Sequence, residues 1–525
     1  MNTNINDFID KICNWKDNFE ILRYPSKKNG KDDISIITNY IRENKVQELL
    51  DYTKKFYVSE YFSLPHPDND KVVTYPFASV SIGYCNFLFM TDELQEKPWM
   101  LVQAGNFLDC FFTHTGIIYH VNRRSSWLPA VSNLSKLINK EKLKEKLKEN
   151  NFKKKKTTGI LISSNRPYHF FYDQLYVINY ISKIYKTNRV YYNDIFWPIQ
   201  DIINSAEPQK RKSDIKNIYI SPKAISQTNF YKNNKLVNKT MTEFEEKCLR
   251  SKKTLLQKKF KENQLKIVLN ISTEKRKWVE QSDGYSEIIN NLSNYFDRLF
   301  ILFDGMTSQI NQPVNTEENI KTYTEILEKI KKSKKIETHI IFGKTYPDKI
   351  EYYNDSDLVI SPMGSSAIIP LRFTKNNTIQ FSNIDMGETV SKSEGDFFVI
   401  NRELKFTSQE KPKLGNQWQH ADYHIPWQHI FNLSVSLINK TKNKEIPLLP
   451  IPLNKKEKNI FYLNQKRLKG NNKVEDVLRE VALAFERSGN IQLAYELISK
   501  AHEIKPNGPL INLKLNEYKQ KLDEQ

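Results

Sequence analysis

The sequence predicts an α/β chain made mainly of two doubly wound halves, with an α+β region before them and a helical tail after them. Three observations predict it. The chain has 525 residues, whereas one hydrophobic core stops growing at about 250–300 residues. From residue 159 onward, short apolar runs alternate with amphipathic stretches, the pattern of parallel strands covered by helices. Two polar, Lys-rich stretches, 137–156 and 230–262, interrupt that pattern where boundaries are expected.

The elements follow in order. Residues 1–135 form the α+β region: helical patterns from Asp33 to Tyr57, then alternating apolar runs from Val72 through Phe87-Leu-Phe-Met to Gly116-Ile-Ile-Tyr-His120. Leu137 to Lys156 reads as a solvated helix and linker. In the first doubly wound half (136–262) Gly159-Ile-Leu-Ile-Ser-Ser164, Arg189-Val-Tyr-Tyr192 and Asn217-Ile-Tyr-Ile-Ser-Pro222 read as strands, and Tyr168 to Tyr185 as a helix. Phe230 to Glu262 is a long polar helix or helix pair.

The second half (263–445) is the clearest stretch. Leu265–Ile271, Arg298–Phe303, Thr338–Gly343, Leu358–Pro362 and Thr378–Ser382 read as strands. Helices Tyr285–Phe296, Thr316–Ser333, Pro347–Asn354 and Ser365–Phe373 fall between them. Five such units in series describe a Rossmann-like domain, whose ligands bind beyond the carboxyl ends of the strands. Residues 446–525 form a linker and a tail in which Ala482-Leu-Ala-Phe-Glu-Arg-Ser-Gly489, Ala494, Ala501 and Pro506 fit one tetratricopeptide-type repeat. A lone repeat cannot bury its own apolar face, so docking on the body is its expected role.

Bulk properties exclude several classes. With 39% hydrophobic residues the chain has material for real cores, and 27 Tyr and 29 Phe against 15 Gly argue against a fibrous or low-complexity protein. Cys13, Cys85, Cys110 and Cys248 form no CxxC pair, so neither a thiolate zinc site nor a disulfide framework is expected, and a reducing compartment fits. The start lacks a signal-peptide pattern, and no run approaches the ~20 apolar residues of a membrane span. A cytoplasmic protein, at most peripheral to the inner membrane, is expected. The net charge of +19 is compatible with nucleic acid, an anionic membrane surface or phosphorylated small molecules. It is also what the Asn-, Lys-, Ile- and Tyr-rich composition of an AT-rich genome produces. The basic residues are scattered and no nucleic-acid module is visible, so no nucleic-acid partner is expected.

Four segments carry candidate chemistry. In Asp357-Leu-Val-Ile-Ser-Pro-Met-Gly-Ser-Ser-Ala-Ile-Ile-Pro370 a buried strand runs into a sharp turn and a helix start. Gly364 permits the turn, and Ser365 and Ser366 offer hydroxyls and first-turn N–H groups, which suit a pyrophosphate. An ordinary Ser-capped turn has the same residues. In Asn270-Ile-Ser-Thr-Glu-Lys-Arg-Lys-Trp278, Ser272, Thr273, Lys275 and Arg276 follow the first strand of that half; Arg276 can chelate phosphate with two N–H groups and Lys275 can act as a point charge. Gly343 and Lys344, after the third strand, are placed to meet the base of a bound nucleotide. In the first half, His169 and Asp173 lie four apart in Asn165-Arg-Pro-Tyr-His-Phe-Phe-Tyr-Asp173. On a helix they share one face, so the carboxylate can orient the imidazole as a general base. A buried histidine packed among aromatics reads the same way. His420, His424 and His429 match no helical zinc pattern and are expected in a loop beside the site. No metal and no cofactor is expected.

Together, the early Asn-x-x-x-His-Phe-x-x-Asp segment and the late Ser-Asp-Leu-Val-Ile-Ser-Pro-Met-Gly-Ser-Ser segment resemble the family of the EGF-domain O-GlcNAc transferase and plant xylosyltransferases, which includes bacterial capsule and lipopolysaccharide members. The resemblance spans about residues 158–385. It implies a GT-B fold of two facing halves. It also implies an inverting, metal-independent transfer from a nucleotide sugar to a hydroxyl of a surface polysaccharide or glycoconjugate. A capsule-assembly complex is the implied setting. A non-catalytic scaffold that uses a tetratricopeptide-like tail within a glycan-assembly complex is the alternative.

Overall fold

The computed structural model describes residues 3–25, 30–121, 155–162, 164, 166–184, 189–192, 195–201, 209–211, 217–225, 239, 241–246, 263–383, 398–399, 408–409, 420–450, 474–487 and 489–524. The linker stretch 137–154, Asn165, most of 230–262 and Trp418 lie outside them. The chain divides into two compact units, Met1–Cys248 with Gln309–Pro313, and Leu249–Ser308 with Val314–Gln525.

The first unit contains two sheets. Strands β1 (Glu20–Arg23), β2 (Leu64–His66), β3 (Asn69–Ile82), β4 (Cys85–Thr91), β5 (Trp99–Gln103), β6 (Cys110–Thr113) and β7 (Ile117–His120) form one, in the order β1-β7-β6-β5-β4-β3-β2. β2 to β7 are an antiparallel meander, and β1 pairs parallel with β7. The N-terminal helix Thr3–Cys13 inserts Phe8, Ile9 and Ile12 against the apolar face of this meander. The expected helical stretch Asp33–Tyr57 is two helices, Asp33–Arg42 and Val46–Val58, parted at Asn44, whose φ is +57.

The second sheet of this unit is parallel throughout: β8 (Thr157–Ile162), β9 (Val190–Tyr192), β10 (Gln209–Lys210) and β11 (Ile218–Ile220), in the order β10-β9-β8-β11. A buried amide pair joins the two sheets. Asn86 Nδ2 donates to Gln103 Oε1 and to Tyr219 O, both at 2.9 Å, and Gln103 Oε1 also accepts the Ser221 N–H at 3.1 Å.

The second unit contains β12 (Gln264–Asn270), β13 (Arg298–Asp304), β14 (Ile336–Ile340), β15 (Leu358–Pro362), β16 (Thr378–Phe381) and β17 (Phe398–Val399), all parallel. Their order is β14-β13-β12-β15-β16-β17, which is 3-2-1-4-5-6 in chain sequence. This is the Rossmann order, and its switch point lies between β12 and β15. A short antiparallel pair, β18 (Ser408–Gln409) and β19 (Tyr423–His424), and helix Trp427–Lys442 follow. The β12-to-β13 crossover helix runs Gln281–Leu292, four residues earlier than expected. Gly284, in its first turn, reads as a helix breaker, but a Cβ there would sit 2.0 Å from Trp278 Cη2: the glycine admits the indole. After β15 the expected helix is a 3-10 turn, Ser365–Ala367, running into a π-turn, Ile369–Phe373.

The tail has three described helices where one two-helix repeat was expected: Val474–Arg487, Ile491–Ile504 and Pro509–Asp523. They share a small core of Leu478, Ala482, Phe485, Ala494, Leu497, Ile498 and Tyr518. Among the described residues no helix is long and apolar enough to cross a membrane.

Candidate active site

The two phosphate-binding candidates of the second unit meet at the switch point. β12 and β15 are hydrogen-bonded neighbours, so the loops leaving their carboxyl ends lie side by side. Gly364 has φ +133 and ψ −149, a region essentially reserved for glycine. A Cβ on Gly364 would lie 3.1 Å from Arg276 Nη2, so the guanidinium is held against the bare turn. Arg276 itself has φ +56, uncommon for a residue with a side chain.

Neighbouring groups hold this backbone. Gln281, at the start of the crossover helix, accepts the Ser272 N–H at 3.1 Å and donates to Ser272 O at 2.9 Å. Ser272 Oγ donates to Lys275 O at 3.2 Å. Segment 420–424 runs beside the loop. Arg276 N–H donates to His420 O at 3.3 Å, Lys277 N–H to Asp422 Oδ1 at 2.8 Å, and Tyr423 N–H to Lys277 O at 2.9 Å. Lys275 Nζ lies 3.4 Å from His420 Nε2. Thr273 is half-buried in the same loop.

On the other loop, Ser365 is exposed and Ser366 is half-buried. Ser366 Oγ donates to Pro362 O at 2.8 Å, and Tyr346 OH donates to Ser365 O at 3.2 Å. Tyr346 thereby brings the end of the Gly343–Lys344 loop to the same turn. Gly343, with φ +79, donates its N–H to Met306 O at 2.8 Å and accepts Ser308 Oγ at 2.6 Å. Lys344 Nζ lies over the Tyr352 ring, 5.3 Å from its centroid.

A buried polar network beneath the loops escaped the sequence. Tyr353 OH donates to Asp304 Oδ2 at 2.6 Å and accepts Asn270 Nδ2 at 2.9 Å. Lys349 pairs with Asp304 at 2.5 Å and donates to Gly305 O, Met306 O and Thr307 Oγ1. Burial pulls the Lys349 ammonium below its usual pKa, while Asp304 opposes that pull. Tyr353 is raised well above the usual phenol range by burial and then by Asp304. The network joins the carboxyl ends of β12 and β13, which carry the loops above. Its members are far apart in sequence and follow no spacing rule.

The histidine candidates at 420–429 are dispersed. His420 lies at Lys275, His424 pairs with Glu280, and His429 is buried in the first turn of helix Trp427–Lys442, where desolvation lowers its pKa to about 4.

In the first unit the expected pair forms. His169 Nδ1 and Asp173 Oδ2 are 2.6 Å apart, with His169 25% exposed and Asp173 1%. His169 ends a short α-turn, Pro167–His169, and Asp173 lies in the π-turn Phe170–Leu175. π-turns inside helices recur at functional sites. The imidazole stacks on Tyr84 at 4.7 Å and 11°. Tyr84 is fixed from below, because the buried Lys223 ammonium donates to the carbonyls of Tyr84 and Ala104. Gln174 accepts the Ser164 N–H at 3.1 Å and donates to Ser221 Oγ at 3.3 Å, bridging the ends of β8 and β11.

No protein-family model and no curated protein matches the chain. Among solved structures, a protein described as a UDP-N-acetylglucosamine 2-epimerase from Listeria monocytogenes is 9% identical with a TM-score of 0.23, over 56% of this chain and 72% of its own. S. aureus TarM, crystallised with Fondaparinux, alpha-GlcNAc-glycerol and UDP, is 9% identical with a TM-score of 0.18, over 90% of this chain and 85% of its own. Superpositions this loose carry no argument for fold or activity; the Rossmann assignment of the second unit rests on its own strand order.

Proposed function

We propose that the chain is a nucleotide-sugar glycosyltransferase of GT-B type, moving a sugar from a nucleoside-diphosphate donor to a hydroxyl of a surface polysaccharide or glycoconjugate by an inverting transfer that uses no metal ion. The observation that carries this reading is the meeting of Arg276 with Gly364 at the switch point of a 3-2-1-4-5-6 sheet. Such a point is where open α/β sheets bind ligands. An Arg guanidinium beside a turn that only glycine can make leaves room for a diphosphate to approach the backbone.

In this reading Arg276 and Lys275 neutralise the charge that develops on the leaving diphosphate. Ser272 and Thr273 line the same loop. Ser365 and Ser366 contribute backbone N–H groups, since the Ser366 hydroxyl already serves Pro362 O. Gly343 and Lys344 border the donor's base. His169, oriented by Asp173, removes the acceptor's hydroxyl proton. A general base of this kind contributes roughly 10²–10⁴-fold.

The test is turnover of nucleotide sugars by the full chain and by Arg276→Ala and Gly364→Val. Loss in both variants, with folding retained by circular dichroism, supports the site; wild-type turnover in both overturns it. The second reading is a non-catalytic binding protein. Exposed Ile504, Leu510 and Leu513 on the tail favour it, because they offer apolar surface to a partner. It predicts that no nucleoside diphosphate raises the melting temperature.

A further inference from the structure

Away from the residues assigned above, two turns of the antiparallel sheet come together. The β2–β3 turn carries His66 and Asp68, and the β6–β7 turn carries His114 and Thr115. One ligand atom from each of His66, Asp68 and His114 lies within 4.8 Å of the others. Asp68 also accepts Thr115 Oγ1 at 3.0 Å, which fixes one turn on the other. The two imidazoles meet edge to face at 5.2 Å, and Trp99 packs against His66.

The imidazole nitrogens are short of partners. His66 is 1% exposed, and its Nε2 is buried with no hydrogen-bond partner; His114 Nδ1 is buried in the same condition. Buried polar atoms are nearly always satisfied, so two such nitrogens on neighbouring rings require an explanation.

We propose that His66, Asp68 and His114 bind a divalent transition-metal ion of the Zn²⁺ class, with solvent completing the shell. Two imidazoles and a carboxylate are a common donor set for such ions. Ligand atoms about 2.1 Å from a tetrahedral ion are about 3.4 Å apart. Asp68 is exposed on its turn, so its carboxylate has room to adjust toward an ion. His66 Nδ1 accepts the Asp68 N–H at 3.1 Å, which places the His66 proton on Nε2. Ligation through Nε2 moves that proton to Nδ1, which then no longer accepts the Asp68 N–H. The bound ion thereby cross-links the two turns.

The test is equilibrium dialysis of the untagged full chain against Zn²⁺, with metal content measured by mass spectrometry, alongside His114→Ala and Asp68→Ala. Both substitutions fall outside the core, and circular dichroism checks that they fold. The expected result is one Zn²⁺ per wild-type chain, at least a 100-fold weaker affinity in each variant, and a Zn²⁺-dependent rise in melting temperature that the variants lack. Co²⁺ should give visible d–d absorption in the wild type alone. Absence of stoichiometric Zn²⁺ in the wild type, or unchanged binding in both variants, would overturn the proposal. Neither outcome depends on sugar transfer.

Discussion

Gly364 and Arg276 constrain each other at the scale of single residues. The φ of +133 at Gly364 is strained for any L side chain, and the first added carbon also meets the Arg276 guanidinium. Gly364→Ala is therefore expected to lower kcat/KM even if the protein remains folded, with the loss read by steady-state kinetics. Arg276→Ala should reduce kcat/KM by about 100-fold, about 2.7 kcal/mol, the order of one lost charge-assisted contact to a developing anion. In the first unit, Asp173→Asn keeps the shape of the pair but weakens the orientation of His169. It should depress kcat more than KM, and its activity should resemble that of His169→Ala. His429 supplies a pH dependence of stability. Its folded pKa of about 4 is below the unfolded value of about 6.5, so the unfolded chain takes up the proton first. Stability is therefore full above about pH 6.5 and falls as the pH drops toward 4; at pH 5 the loss is about 2 kcal/mol. His429→Phe should flatten that part of the profile in denaturant titrations, though His66 contributes a slope of the same sign.

At the scale of elements, the buried Asp304–Lys349 pair holds the ends of β12 and β13. Removing one partner leaves an uncompensated buried charge, so Lys349→Met should destabilise the second unit by about 3–5 kcal/mol. Adding Asp304→Asn should recover part of that loss, and a double-mutant cycle measures the coupling. The strands of this unit were legible in the sequence because a parallel sheet covered on both faces reads as apolar runs, as in Leu265-Lys-Ile-Val-Leu. The loops that carry Ser272–Arg276 and Gly364–Ser366 were legible for the same reason, since they begin where those runs stop. Other features were not. The crossover helix begins at Gln281 because Gly284 admits Trp278, a tertiary fact hidden behind a residue of poor helix propensity. The π-turn at 170–175 replaces plain α-helix, although its residues carry no local signal for it. The Asp304–Lys349 pair and the His66–His114 cluster join residues from separate strands and turns, and only the folded topology brings them together. The N-terminal helix hides its apolar face, Phe8, Ile9 and Ile12, among polar neighbours.

At the scale of the whole molecule, the two parallel sheets share an inner order. In chain sequence it is 3-2-1-4 for β10-β9-β8-β11, and the same four positions begin 3-2-1-4-5-6 in the second unit. The candidate residues of both units follow the first strand of their sheet: His169 after β8, Arg276 after β12. The tail keeps a core of its own, so substitution within it, such as Tyr518→Ala, should unfold the three helices while leaving nucleotide binding by the second unit unchanged. The claim on which the functional account depends is that the β12–β15 switch point binds a nucleoside diphosphate through Arg276. Titration calorimetry of the full chain against UDP, GDP, ADP and CDP, repeated with Arg276→Ala, tests it most directly. The account predicts that at least one of the four binds the wild-type chain with 1:1 stoichiometry and that the alanine variant loses about 100-fold in affinity. Failure of all four to bind, or undiminished binding in the variant, would contradict it.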